Sequence, residues 1–224
     1  MNILNIELSK NLLKKHYQSG LLKLLRVGYD EFFAYISTLG GGLTNKESHN
    51  LKISLEKSKA ELHSQSSQKI YEGYSKIKTT INLSDNSTLV YQNDPNIFYA
   101  NSHLSTNTSI FLDKSSKIFY TDGGYAGYSK GDFKLSSILR IFINSKLALN
   151  DVFNYDKNLS AFYNYLYFYN VLIYGKNYDV FLDEANLKVC SNNINDVNII
   201  RIIANHNDLA MDYINELRNE FLRS

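Results

Sequence analysis

The chain has 224 residues, of which 44% are hydrophobic and 21% are charged, and its formal net charge is +2. This composition is typical of a globular domain, and disorder over most of the length is not expected. A protein held mainly by nucleic-acid phosphates is usually more basic, so a nucleic-acid partner is not favoured.

The N-terminal third predicts amphipathic helices. Apolar residues recur every three or four positions over residues 3–18 and over residues 21–39. Thr44 and Glu47 form a capping box, which predicts a third helix to about residue 79. Residues 1–80 carry 12 Lys/Arg and 7 Asp/Glu, so these helices present either a solvated charged face or a surface for an anionic partner.

The third predicted helix has a narrow apolar seam interrupted by serines. A helix with a thin seam lies across other helices of its own chain or pairs with a partner protein. We keep both interpretations, and the seam residues predicted to make the interaction are Leu51, Leu55 and Leu62.

Residues 82–131 predict short β-strands separated by polar turns, with a hairpin through residues 113–116. A loop containing Asp122-Gly123-Gly124 follows and carries Tyr125 and Tyr128. Asp132 is a candidate cap for a helix over about residues 133–149.

Residues 161–174 form an uncharged block in which half of the side chains are Tyr or Phe. Tyrosines recur there with the period of two that is typical of a strand, whereas Ser160 and Gly175 suit the two ends of a helix. Strand is the preferred interpretation. The block is expected in the core or at a protein interface, through Tyr163, Tyr165, Tyr167 and Tyr169.

The C-terminal residues, about 196–222, predict helices, the last of them running from Asp208 to about Leu222. The predicted fold class is therefore α+β: N-terminal helices over about 3–80, a central antiparallel β region with one helix over about 85–191, and C-terminal helices. We divide the chain into a helical part, 1–80, and an α+β part, 81–224, within one compact unit. No internal repeat is detected.

The segment Lys117-Ile-Phe-Tyr-Thr-Asp122-Gly-Gly resembles the first strand of ribonuclease H-like nucleases. The resemblance covers about eight residues and implies that Asp122 helps to hold two Mg²⁺ ions that activate water. A hairpin end explains the same residues and is preferred, because the predicted helix that follows contains no glutamate.

Asp183 and Glu184 are the next acidic candidates. Glu184 and Lys188 are four residues apart across a predicted turn, which is not the two-residue spacing of a nuclease Asp/Glu-x-Lys pair. The five histidines are scattered, so neither a metal nor another cofactor is predicted.

These observations favour a non-enzymatic interaction subunit or adaptor of a larger assembly, with another protein or a second copy as its partner. The alternative is an enzyme of unrecognised type, a toxin, effector or metal-dependent nuclease that uses Asp122. The bias toward Asn, Lys, Ile and Tyr suggests an AT-rich source such as a phage, plasmid or pathogenicity island.

A single cysteine, Cys190, excludes an internal disulfide and favours a reducing compartment. No uncharged apolar stretch reaches about 18 residues, so no membrane span is expected. The predicted location is the cytoplasm, or delivery from a cytoplasm as an effector.

Overall fold

A computed structural model describes residues 1–27, 32–129, 132–155 and 165–223. The described chain is built mainly of β-strands. In chain order the strands are β1 (Asn2–Ser9), β2 (Leu12–Ser19), β3 (Leu22–Val27), β4 (Phe32–Thr38), β5 (Ser48–Glu56), β6 (Lys59–Ser64), β7 (Lys69–Ile70), β8 (Gly73–Ser84), β9 (Thr88–Gln92), β10 (Asn96–Phe98), β11 (Ser102–Leu112), β12 (Lys117–Tyr125), β13 (Phe133–Ile143), β14 (Lys146–Tyr155), β15 (Tyr167–Tyr174), β16 (Phe181–Asp183), β17 (Leu187–Ile194) and β18 (Val197–Ala204). One α-helix, α1 (Asn207–Leu222), and a 3₁₀ turn at Gly127–Ser129 complete the described elements.

Most of the strands belong to two sheets. The first sheet has the order β14-β13-β11-β8-β5-β1-β2, and the second has the order β16-β17-β18-β15-β12-β9-β6-β4-β3. The centre of each sheet is parallel, whereas antiparallel pairs close the ends. The predicted central antiparallel region is therefore wrong for the strands of the middle of the chain.

The parallel strands wind as coils of a β-solenoid-like structure. One coil is β5, β6 and β7, the next is β8, β9 and β10, and each strand pairs in parallel with its counterpart one coil later. Corresponding positions stack into ladders of like residues. The clearest ladder is buried on the inner side of the first sheet and consists of Ile6, Ile53, Ile81, Ile110 and Ile141.

Buried serines mark the turn between the two sheets in successive coils. The Ser58 N–H donates to Ser87 Oγ, and the Ser87 N–H donates to Ser116 Oγ, each at 3.2 Å. These serines are 29 residues apart (58 to 87, 87 to 116) and are almost fully buried. The chain therefore does contain a structural repeat, which is expressed in its turns and ladders and not in extended sequence similarity.

The predicted α+β class with N-terminal and C-terminal helices is wrong. Leu4, Ile6 and Leu8 are buried and alternate with more exposed residues, which is the period of a strand. The helical spacing over residues 3–18 arose because apolar residues from two adjacent strands were counted as one stripe.

The same explanation holds for the other predicted helices. The helix predicted to about residue 79 is replaced by β5 to β8, and the helix predicted over about 133–149 is replaced by β13 and the start of β14. At the C-terminus, residues 197–204 form β18, and α1 alone is helical. β8 also runs across the boundary at residue 80 that we placed between two parts.

The core has two main layers. One apolar cluster lies between the two sheets and includes the isoleucine ladder. A second lies between the outer side of the second sheet and α1, where Ala210, Ile214, Leu217 and Phe221 pack on β15 and β18. A smaller cluster at one end contains Phe98, Phe133 and Phe168.

Candidate interaction surface and internal cavity

Five tyrosines form a continuous cluster at one end of the molecule, here called the tyrosine cluster: Tyr71, Tyr99, Tyr125, Tyr128 and Tyr167. Their ring centroids are separated by 5.0 Å for Tyr71 and Tyr99, 5.4 Å for Tyr99 and Tyr128, 5.4 Å for Tyr125 and Tyr128, and 4.5 Å for Tyr125 and Tyr167. Residues far apart in sequence thus share one surface.

The tyrosine cluster is partly open to solvent. Tyr128 is 56% exposed, and the other four rings are half-buried. Burial, with smaller contributions from Tyr125 and Tyr128, raises the pKa of Tyr167 above its ordinary value, so its hydroxyl stays protonated at neutral pH. The surface therefore offers apolar ring area together with hydroxyl groups, the combination enriched at protein interfaces.

Phe98 and Phe168, the sequence neighbours of Tyr99 and Tyr167, form a buried phenylalanine layer with Phe133. Phe98 lies 4.6 Å from Phe133 and 6.3 Å from Phe168, measured between ring centroids. A Cβ atom added at Gly124 would lie 2.2 Å from Phe168 Cζ and 2.6 Å from Phe98 Cε2. Glycine is required there because the backbone of β12 passes directly against these rings.

The structure brings three of the predicted interaction tyrosines together, Tyr125, Tyr128 and Tyr167. Tyr169 is instead buried, and its hydroxyl donates to Asn207 Oδ1 at 2.6 Å. Tyr165 is half-buried and donates to the Ala185 carbonyl at 3.2 Å.

Tyr163 lies outside the described residues. Leu51, Leu55 and Leu62 are buried on β5 and β6, so the helical seam on which their predicted interaction rested does not exist. Sequence reasoning missed Tyr71 and Tyr99, since nothing in their local pattern indicates that the coils stack them beside Tyr128.

A polar cavity of about 270 Å³ lies between the two sheets. Its wall combines charged, hydroxyl and amide side chains from both sheets, among them His49, Tyr91, Thr108, Tyr120, Asp122 and Asn170. Thr108 and Tyr120 are joined by a hydrogen bond of 3.3 Å between their hydroxyls.

Asp122 takes part in a partly buried hydrogen-bond network. Asn170 Nδ2 donates to Asp122 Oδ1 at 2.9 Å, and Arg201 donates to Asn170 Oδ1 and, at 2.7 Å, to Asp151 Oδ1. Burial raises the pKa of Asp122 to about 6, although the Asn170 hydrogen bond and the Arg201 charge act in the opposite direction.

His49 is the second titratable side chain of note in this wall. Burial lowers its pKa to about 4, so it is neutral at physiological pH. Its Nε2 atom is buried and has no hydrogen-bond partner among the described residues.

The other acidic candidates do not join Asp122. Asp183 is at the end of β16 and forms an exposed ion pair with Lys188, while Glu184 follows it in the β16–β17 turn. Neither lines the cavity. Within the described ranges, no group of three or more His, Cys, Asp or Glu side chains is placed to hold a metal ion.

The fold and its surface define a β-solenoid-like protein with an exposed aromatic patch at one end. The sequence model of the UreD urease accessory protein family matches residues 4–224. The chain belongs to this family.

Curated relatives support the same assignment. The urease accessory proteins UreD of Staphylococcus aureus strains bovine RF122, JH9 and Newman are each 35% identical to the chain over 126 residues. The match covers 52% of this chain and 45% of each relative, so the chain matches about half the length of these proteins.

The family corrects part of the functional prediction. The expected phage, plasmid or pathogenicity-island source and the effector role are wrong, because the chain belongs to the UreD urease accessory protein family. The expectation of an accessory subunit agrees with the family at that general level. Among the described residues, no helix has the length and apolarity needed to cross a bilayer.

Proposed function

We propose that this chain is a non-enzymatic accessory subunit that takes part in urease assembly by binding another protein through the tyrosine cluster. The observation that carries the proposal is the contact of Tyr99, Tyr125 and Tyr128 in one partly exposed patch, in a chain of an accessory-protein family. The proposed partner is a urease subunit or another protein of that assembly, and the proposed location is the cytoplasm.

The physical basis is pre-organisation. The rings are held by one another, so part of their side-chain freedom is already lost before binding. Tyrosine is among the residues enriched at interface hot spots, where truncation of one side chain costs about 2 kcal/mol or more.

The test compares two tyrosine-to-serine variants of the full chain. Tyr99→Ser/Tyr128→Ser removes one half-buried and one exposed ring of the tyrosine cluster, and Tyr17→Ser, on β2, is the control because Tyr17 is 49% exposed and lies elsewhere. We expect the cluster variant to bind purified urease subunits of the same organism about tenfold or more weakly, as measured by biolayer interferometry. The control is expected to bind as the unmodified chain does.

Equal affinity of all three proteins for the urease subunits would contradict the proposal. Circular dichroism and thermal melting of each variant distinguish loss of contact from loss of fold. Sedimentation of the unmodified chain at increasing concentration separates binding to another protein from self-association.

A further inference from the structure

The outer side of the first sheet carries a cationic surface that is separate from the tyrosine cluster. Its outward-facing positions include six basic side chains, here called the basic face: Lys15, Lys52, Lys76, Lys78, Lys134 and Arg140. Glu7 and Glu56 are the acidic residues at outward-facing positions of the same described strands.

Three lysines at the centre of the basic face are neighbours on adjacent strands. Lys76 and Lys78 point the same way along β8, and Lys52 on β5 is diagonal to Lys78. Such positions are about 7–8 Å apart, which is within one Debye length at physiological ionic strength. The three positive charges therefore repel one another in the isolated chain.

Few neighbours within the described part of the chain offset the charge of these lysines: Glu7 is diagonal to Lys52, and Lys76 Nζ lies 5.1 Å from the centre of the Tyr74 ring. Lys52 is paired across the sheet with Asn5 and Thr80, and Lys78 with Asn50 and Asn107. All four neighbours are uncharged. None of the three lysines takes part in a salt bridge among the described residues.

Protection of a sheet edge does not account for the lysines. Exposed lysines commonly guard edge strands against pairing with other chains. However, β5 and β8 are central strands that have partners on both sides. The lysines are exposed and lie on a broad sheet, so they are placed to meet a large opposing surface.

We propose that the basic face is a second docking surface, and that its occupant is a protein with an acidic contact surface. Carboxylates opposite Lys52, Lys76 and Lys78 would relieve their mutual repulsion, and this charge complementarity is the argument for the partner's chemistry. Nucleic acid fits less well, because the whole chain has a net charge of only +2.

The basic face is distinct from the tyrosine cluster. Each can therefore fail its test without affecting the other.

The experiment measures binding of the full chain to poly-L-glutamate at low and at physiological ionic strength. Lys52→Glu/Lys76→Glu/Lys78→Glu reverses the centre of the basic face. The matched control, Lys57→Glu/Lys114→Glu/Lys146→Glu, makes the same change of net charge at exposed lysines that lie in or directly next to turns. We expect salt-sensitive binding by the unmodified chain, about tenfold or more weakening in the face variant, and little change in the control.

A Lys→Gln version of the face variant keeps the test valid if charge reversal impairs folding, and it is expected to weaken binding to a smaller extent. Equal weakening in the face and control variants would overturn the proposal, since only net charge would then matter. Tighter binding of a mixed-sequence DNA duplex than of poly-L-glutamate would also overturn it.

If the chain self-associates and the face variant abolishes that self-association, the partner of the basic face is a second copy of the chain and not another acidic protein. In that case the exposed acidic residues of α1, Asp208, Asp212, Glu216 and Glu220, are the surface to test next.

Discussion

Asp122 and His49 show how single buried groups acquire unusual chemistry in this fold. Both lie in the wall of the internal cavity, and burial disfavours the charged form of each. The pKa of Asp122 is raised to about 6 and that of His49 is lowered to about 4. The sequence singled out Asp122 by its local pattern but gave no indication of this environment.

The two shifts affect stability in opposite directions over the same pH range. As pH rises from about 4 to 6, Asp122 ionises in the unfolded chain before it ionises in the folded one, so its contribution to the free energy of unfolding falls. As pH falls from about 6.5 to 4, the unfolded chain protonates His49 first, so stability is lost in that direction. The two contributions partly cancel.

We expect Asp122→Asn to expose the contribution of His49. The asparagine can still accept the hydrogen bond from Asn170 and carries no charge to desolvate. Relative to the unmodified chain, the variant should gain up to about 3 kcal/mol in free energy of unfolding between pH 4 and 6. Urea titrations over this pH range measure the difference.

Asp183→Asn, at the exposed end of β16, is the control for removing a carboxylate outside the cavity. A difference between Asp122→Asn and the unmodified chain that does not change with pH would contradict the assigned shift.

The elements of the structure are determined by stacking between coils. β15, the described end of the aromatic block, is buried between β12 and β18, which agrees with the preferred strand interpretation for that segment. The N-terminal strands were misassigned because of the spacing of their apolar residues. When apolar residues of one strand are read together with those of the next, they can recur every three or four positions, as in a helix. Leu51, Ile53 and Leu55 already alternate with polar residues in the sequence, and all three are buried on one side of β5.

The buried serines could have been found as a repeat. Ser58, Ser87 and Ser116 recur at 29 residues, each next to a turn with charged or amide residues. The signal is weak in the sequence because each coil keeps only a few such positions. Their role becomes apparent once the hydrogen bonds between successive turns are known.

We expect Ser87→Ala to destabilise the turns of the coils. Ser87 Oγ accepts the Ser58 N–H and donates to the Ser84 carbonyl at 2.6 Å, and its residue is fully buried. Alanine would leave the buried Ser58 N–H without that partner, at a cost of about 1–3 kcal/mol. Chemical denaturation measures this cost.

Ser109→Ala, on the outer side of β11, is the matched control and is expected to be nearly neutral. A loss of stability of the same size in both variants would show that the turn hydrogen bonds are not the cause.

At the scale of the whole molecule, both sheets join the beginning of the chain to its later parts. β1 pairs with β5, which continues through β8 and β11 to β13, and β4 is linked through β6 and β9 to β12. Because of this long-range pairing, strands of the first 80 residues depend on later strands for part of their backbone hydrogen bonding. Our division at residue 80 and the expectation of one compact unit both stay predictions.

We expect the full chain to unfold in a single cooperative transition. Far-ultraviolet circular dichroism, which reports the sheets, and tyrosine fluorescence, which reports the aromatic contacts, should give the same urea midpoint. A fragment of residues 1–80 should show no cooperative transition. Two separate transitions in the full chain would contradict this expectation.

The sequence alone determined that this chain has a globular composition and no internal disulfide, and it led us to expect a shielded tyrosine-rich segment and an interaction or adaptor role. These conclusions depend on composition and on local chemistry, which the fold cannot change. Tertiary structure alone decided that the N-terminal segments are strands, that Tyr99 meets both Tyr71 and Tyr128, and that six cations share one face. Those features arise from hydrogen bonds between successive coils about 28–31 residues apart, and no local pattern specifies that register.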